Sequence, residues 1–308
     1  MAFASRRDLL DYLVYLAVRV AVCALQCLSV ESARAAGRTL GRIAYWVDGR
    51  HRRVALENLG AAFGGRYSEP ELRRLVRRVY EHFATVAVEI ALIPRKLHVA
   101  NWKRYVRVEP STEAMDLIVQ DRAKILVSGH FGNWEMAGFV IAAVGLRPTT
   151  IARDLDNRFL HRFVQRLRGG SGQKIVSKKG DFDRIESTLR RREALVSVAD
   201  QNAGPRGCFV EFFGRPASTH KAIALLSFEH DAPIVVGYAY RDGPGFHYRM
   251  ACTAPLEPAD YRGRPDGIRE LTQDFTRALE EAIRAAPEQY FWLHRRWKHA
   301  PESRRRAA

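Results

Sequence analysis

The chain has 308 residues, 47% of them hydrophobic, and carries 50 basic against 34 acidic side chains for a formal charge of +16. That length and apolar content exclude a disordered chain and allow one large globular domain with an accessory helical segment. The charge predicts an anionic partner, whether nucleic acid, membrane or acidic carrier protein, and specifies no fold.

Residues Leu9 to Val30 are almost continuously apolar and about as long as a membrane span, but Asp11 and Arg19 interrupt them. Three readings stand: a span, a helix lying on the surface, and a signal peptide, for which Ala33-Arg34-Ala35 resembles a cleavage site. Arg19 speaks against the signal peptide. Basic residues flank both ends, so charge sets no orientation, and an interfacial or re-entrant anchor on anionic headgroups fits best. Cys23 and Cys27 stand four apart and read as small buried hydrophobes on one helix face. With Cys208 and Cys252 they form no CxxC pair, zinc spacing or disulfide framework, so a reducing compartment is the simpler reading.

From Arg52 to about Ile93 the period is helical, with stripes at Val54, Leu56, Leu59, Phe63 and at Leu72, Val76, Val79, Phe83, Val86, Ile90. Ser68 should cap the second helix, with Pro70 and two glutamates in its first turn, and Pro94 should end it. Past Trp102 the pattern alternates. Strands are predicted at Lys124 to Ser128, Thr149 to Ala152, Leu195 to Ala199 and Ile234 to Tyr240. Helices are predicted at Trp134 to Val144, Asn157 to Leu167, Phe182 to Arg191, Lys221 to Glu229 and Gly267 to Ala285. This is an α/β arrangement. The expected division is a membrane-anchor helix with its basic flank over 1–50, a catalytic domain over 51–300 and a basic tail over 301–308. Within that domain a helical lead-in covers 51–100 and an α/β core covers 101–300.

The chemistry concentrates at Ile125-Leu126-Val127-Ser128-Gly129-His130-Phe131-Gly132-Asn133-Trp134-Glu135, which reads as buried strand, glycine-rich turn and helix start. His130 falls at the carboxyl end of its strand, where open α/β sheets place ligands. Glu135 lies in the next helix's first turn and could fold back to fix the imidazole tautomer. With 10 histidines and 34 acidic residues, such a spacing occurs by chance about once in a chain of this length. Placement carries the reading, not spacing. Gly169-Gly170-Ser171-Gly172-Gln173 fails both the G-x-S-x-G elbow and the phosphate-binding loop and reads as a surface loop. No HExxH or zinc-finger spacing occurs, so a metal mechanism has no support.

His130-Phe131-Gly132-Asn133-Trp134-Glu135 resembles the His-x4-acid motif of the lysophospholipid acyltransferase superfamily, and more closely that of the bacterial lipid A biosynthesis (lauroyl/myristoyl) acyltransferases. Arg52 to Leu59 resembles that family's basic amphipathic helix. Pro287 to Lys298 resembles its closing segment, and the strings Asp200 to Gly207 and Phe212 to Ala217 add to the likeness, which covers residues 9–299. The resemblance implies a central mixed sheet flanked by helices, glycerolipid acyltransferase-like, behind an N-terminal membrane-associated helical segment. It also implies an acyl thioester donor, on acyl carrier protein or coenzyme A, and a glycolipid hydroxyl acceptor at the cytoplasmic face of the bacterial inner membrane. No cofactor or metal is expected.

His130 would then be the general base, with Glu135 orienting it and stabilising the imidazolium. Backbone N–H groups near Gly132 and Asn133 are candidate oxyanion donors. Arg153 resembles the family's second-motif arginine and would hold an anionic headgroup or donor phosphate. Asp200 ends a strand and faces the same crevice, with Arg206 following it. Phe209, Phe212, Phe213 and Trp134 are candidate acyl-channel residues. His294, Arg295, Arg296 and Lys298, interleaved with Trp292 and Trp297, suit a headgroup interface. Glu135 in place of aspartate and the polar Thr219-His220-Lys221 depart from the pattern and leave chain length and acceptor open. Competing readings are a phosphatidylinositol mannoside or lysophospholipid acyltransferase and, more distantly, a basic nucleic-acid-binding protein, for which no module is present.

Overall fold

The computed structural model describes residues 5–146, 148–170, 172–177, 180–299 and 301, so the basic tail at Arg304 to Arg306 lies outside it. Four helices come first: α1 (Arg6–Cys27), α2 (Val30–Val47), α3 (Gly49–Phe63) and α4 (Glu69–Lys96). The alternating part follows as β1 (Val106–Glu109), α5 (Thr112–Val119), β2 (Lys124–Ser128), α6 (Trp134–Ala143), β3 (Thr149–Ala152), α7 (Arg158–Gly169), β4 (Lys174–Ser177), α8 (Phe182–Arg190) and β5 (Ala194–Val198). A hairpin of β6 (Cys208–Phe212) and β7 (Arg215–Thr219) leads to α9 (Ala222–Glu229), β8 (Ile234–Arg241), β9 (Tyr248–Cys252) and α10 (Gly267–Ala285).

Seven strands form one mixed sheet in the order β1-β9-β8-β2-β5-β3-β4, parallel throughout except for β8 against β9. β2 sits at the centre. Its odd positions Ile125 and Val127 enter the main core with α9 and α10, while Lys124, Leu126 and Ser128 alternate to the opposite face. Register Ser128↔Val198 between β2 and β5 brings their carboxyl ends side by side.

The lead-in helices hold this sheet. α4 begins with a full capping box in which Ser68 and Glu71 exchange hydrogen bonds. Pro94 does not end the helix as its sequence position suggests. It sits in the last turn and the helix runs on to Lys96, with Leu97 N–H bonded to the Ile93 carbonyl and both residues buried in one core cluster. α2 lies against α4 so closely that a Cβ on Gly41 would stand 2.5 Å from the Glu81 Cα.

α1 buries no residue, and Leu10 and Val20 are 60% and 69% exposed. Cys23 and Cys27 are exposed too, contrary to the expectation of burial, since α1 covers its neighbours only along one edge. Among the described residues no helix is long and apolar enough to cross a membrane, so the spanning reading of this segment has no support.

Candidate active site

β2 ends at Ser128 and the chain turns through Gly129 to Gly132 into α6. Gly132 adopts φ +60°, and a Cβ there would meet the Ala239 carbonyl oxygen at 2.0 Å, so only glycine fits. The turn is clamped: Gly132 N–H donates to the Gln289 carbonyl, Asn133 N–H to the Ala239 carbonyl, and Phe291 N–H to the His130 carbonyl. His82 on α4 bonds the Gly132 carbonyl from behind at 3.0 Å. These bonds correct one expectation. The N–H groups of Gly132 and Asn133 are spent on the protein and are not oxyanion donors.

Asn133 is fully buried; its side chain caps α6 through Met136 N–H and donates to Glu89 at 3.2 Å, so it shapes the turn and does not line the cavity. Glu89 is itself fully buried and is satisfied by Arg34, Arg241 and Tyr248.

The partner of His130 is Asp200. One Asp200 oxygen lies 2.8 Å from Nδ1 of the ring, and the other accepts the His130 backbone N–H at 2.8 Å. Because β2 and β5 are paired in register to Ser128 and Val198, the residues two positions beyond each strand come together. Burial pushes the imidazolium down, but the Asp200 charge and hydrogen bond outweigh it, and His130 titrates above its ordinary value of 6.5. Asp200 is 6% exposed; burial raises its carboxyl, and His130 pulls it below the usual carboxylate range. An acceptor on Nδ1 fixes the proton there and leaves Nε2 as the unprotonated nitrogen of a ring that lines a cavity.

Glu135 does not reach the imidazole. Its carboxylate takes a bidentate grip from Arg168 of α7, with Nε 3.0 Å from both oxygens, and accepts from the Trp134 indole. The Asn133 cap sets α6 on a course that aims Glu135 toward α7. Arg168 was not among the residues singled out from sequence, where it reads as one more arginine on a basic amphipathic helix.

His130, Glu135, Arg168 and Arg153 all line one cavity of about 1470 Å³. It is floored by the face of the sheet that carries Leu126 and Ser128 and is roofed by α5, α6 and α7. The lining is mainly apolar and includes both His130 and Lys124 at the far end of β2; the four residue steps from Ser128 to Lys124 alone span about 13 Å. Lys124 is only 4% exposed; its ammonium donates to the Gln120 carbonyl, and burial lowers its pKa. Arg153 is 85% exposed at the rim, with Asp156 3.9 Å away. Arg206 is exposed and outside this lining.

Two other expectations are corrected. Of the four aromatics suggested for an acyl channel only Trp134 lines the cavity, while Phe212 and Phe213 are buried in the main core with Phe63 and Trp292. In the closing segment Arg295 and Lys298 are exposed, but two of the residues suggested for a headgroup interface are buried. Trp292 is 1% exposed, and Arg296, at 3%, is spent on the Ser218 carbonyl and the Thr219 hydroxyl of β7.

Fold and site together define an α/β enzyme that sets a carboxylate-oriented histidine at the mouth of a long apolar cavity. The particular assignment comes from comparison: the chain belongs to the bacterial lipid A biosynthesis acyltransferase family, matched over residues 1–299, and is an acyltransferase. It is 27% identical to the lipid A biosynthesis lauroyltransferase of Escherichia coli over 86% of this chain and 85% of that protein. The lipid A biosynthesis palmitoleoyltransferase of the same organism is 24% identical, covering 86% and 84%. A phosphatidylinositol mannoside acyltransferase of Mycobacterium tuberculosis is 24% identical over 59% of this chain and 57% of that protein. The crystal structure of a 1-acyl-sn-glycerophosphate acyltransferase from Thermotoga maritima superimposes with a TM-score of 0.41 at 13% identity, covering 84% of this chain and 99% of that one.

Proposed function

We propose that the protein moves a fatty acyl group from an acyl thioester, on acyl carrier protein or coenzyme A, directly to a hydroxyl of a lipid A precursor or related glycolipid. The observation that carries this reading is the His130–Asp200 pair at the head of the apolar cavity. An alcohol is a poor nucleophile until a base takes its proton, and Nε2 of His130 is the available base. Asp200 holds the tautomer and stabilises the imidazolium. The imidazolium then protonates the departing thiolate, so the cycle needs no metal and no covalent acyl-enzyme.

The apolar lining suits the acyl chain. Arg153 at the rim suits an anionic headgroup or donor phosphate. The family match over residues 1–299, to bacterial lipid A biosynthesis acyltransferases, supports a lipid A precursor over a mannoside acceptor. The exposed apolar residues of α1, flanked by Arg6 and Arg7, support a helix lying at the cytoplasmic surface of the inner membrane rather than through it. His130→Ala, assayed with acyl-carrier-protein and acyl-coenzyme A thioesters and a lipid A precursor, should lose transfer by at least about 10³-fold while remaining folded. Wild-type turnover by that variant refutes the reading.

A further inference from the structure

Attack on a thioester puts negative charge on its carbonyl oxygen, and a site that does this without a metal must supply hydrogen-bond donors there. The N–H groups of His130, Gly132 and Asn133 are committed to Asp200, Gln289 and Ala239. The cavity holds another candidate. Ser128 is the last residue of β2, two before His130, and its alternation places it on the cavity face with Leu126. It is 7% exposed and its hydroxyl has no hydrogen-bond partner. Five other buried side-chain atoms among the described residues share that condition, in His230, Arg241, Arg249, Arg296 and Trp297, and none of those residues lines the cavity.

An unmatched buried hydroxyl costs stability that alanine at the same position would not. The backbone of Ser128 is fixed, since its carbonyl accepts Ala199 N–H at 2.9 Å. The hydroxyl is not. No bond ties it to one staggered well, so a ligand oxygen can select the orientation that meets it.

We infer that Ser128 is a catalytic residue whose hydroxyl donates to the carbonyl oxygen of the acyl thioester and to the oxyanion that oxygen becomes. This rests on the acyl-transfer reading of the same site. The acceptor oxygen bonds to the carbonyl carbon as its proton passes to Nε2 of His130, and the carbonyl oxygen, now charged, accepts from Ser128. Collapse of the intermediate breaks the carbon–sulfur bond, and His130 returns the proton to sulfur. Ser128 keeps its own proton throughout.

The test compares Ser128→Ala, Ser128→Thr and His130→Ala in the full-length protein with the thioester and lipid A precursor described above. Ser128→Ala should lower kcat by about 10- to 100-fold, in the range for one oxyanion donor or somewhat below it, with KM within about twofold. Its Tm should equal or exceed that of the wild type, because the hydroxyl satisfies nothing in the free protein. Ser128→Thr, which keeps a hydroxyl, should recover most of the loss. A purely structural serine would instead lower Tm and leave kcat of the folded fraction intact. Wild-type kcat in Ser128→Ala, or a loss that follows Tm and that threonine does not restore, overturns this inference while leaving His130 in its role. Transfer that survives His130→Ala overturns the acyl-transfer reading and this one with it.

Discussion

Asp200 holds His130 at two points, one carboxylate oxygen on ring Nδ1 and the other on the backbone N–H, each at 2.8 Å. The double contact fixes both the rotation of the ring and the position of the turn that carries it. It also raises the affinity of the ring for a proton, against the effect of burial. A general base works only when neutral, so kcat/KM should rise with pH through the raised pKa, with its acid limb above 6.5. Asp200→Asn removes the charge that causes the rise. Its acid limb should move to lower pH, and its plateau should fall by about 10²- to 10⁴-fold as the imidazolium loses its counter-ion. A limb that stays in place in the asparagine variant would show that another group is titrating.

Glu135 makes a different prediction. It is spent on Arg168, and its charge raises the His130 pKa less than that of Asp200 does. Glu135→Gln should leave the acid limb close to its wild-type position. It should still lower kcat/KM, by about 10- to 100-fold, because the Arg168 guanidinium loses its bidentate charged partner at the cavity. The pH profile separates the two carboxylates: a downward shift in Glu135→Gln as large as that in Asp200→Asn would restore Glu135 as the imidazole's partner.

How much was legible follows from where the information lies. β2, β3 and α10 stand at the bounds expected from sequence, because a continuous apolar strand closed by glycine and an amphipathic 19-residue helix are local signals. β1 and β9 were missed. Each is short and carries arginine, and they pair with one another across 142 positions of sequence, Val106 with Tyr248. The β6–β7 hairpin was hidden by chemistry. Its two-residue turn puts Phe213 and Gly214 at φ 52° and 68°, where Asn-Gly is the usual signal, and the phenylalanine is held there by packing on Phe63 and Trp292. His130 and Asp200 were each placed at a strand end, yet their pairing was not readable. It depends on β2 and β5 being neighbours in register, which the order of strands along the chain does not reveal.

Gly41, at the contact of α2 with α4, and Gly60, in α3, predict opposite outcomes when replaced by alanine. Gly41→Ala would place a Cβ within 2.6 Å of the Tyr80 carbonyl oxygen, so the helices must separate, at a cost of about 1–3 kcal/mol. Gly60 lies within α3, where an added Cβ finds only the Leu72 Cδ1 at 3.9 Å. Gly60→Ala should gain about 0.5–1 kcal/mol from helix propensity. Denaturant unfolding of both variants checks this; equal shifts would mean that the α2–α4 approach is not tight in solution.

His82 should make the protein acid-sensitive. Both ring nitrogens are engaged, Nε2 with the Gly132 carbonyl and Nδ1 with Arg241, and the ring is fully enclosed. Burial, joined by the Arg241 charge, pushes its pKa down from 6.5 to about 3. The unfolded chain takes up a proton below 6.5 that the folded chain refuses until about 3, so stability falls as pH drops through that window and is unaffected above it. The slope approaches about 1.4 kcal/mol per pH unit for one proton. His82→Gln should be less stable at pH 7 by about 1–2 kcal/mol, having lost part of the bonding, but its stability should fall less steeply between pH 6 and 4. Because protonation of His130 above 6.5 already lowers kcat/KM, loss of the fold in this range is read from unfolding and not from activity. Parallel stability curves for the two proteins would mean that His82 is not the group whose protonation opens the structure.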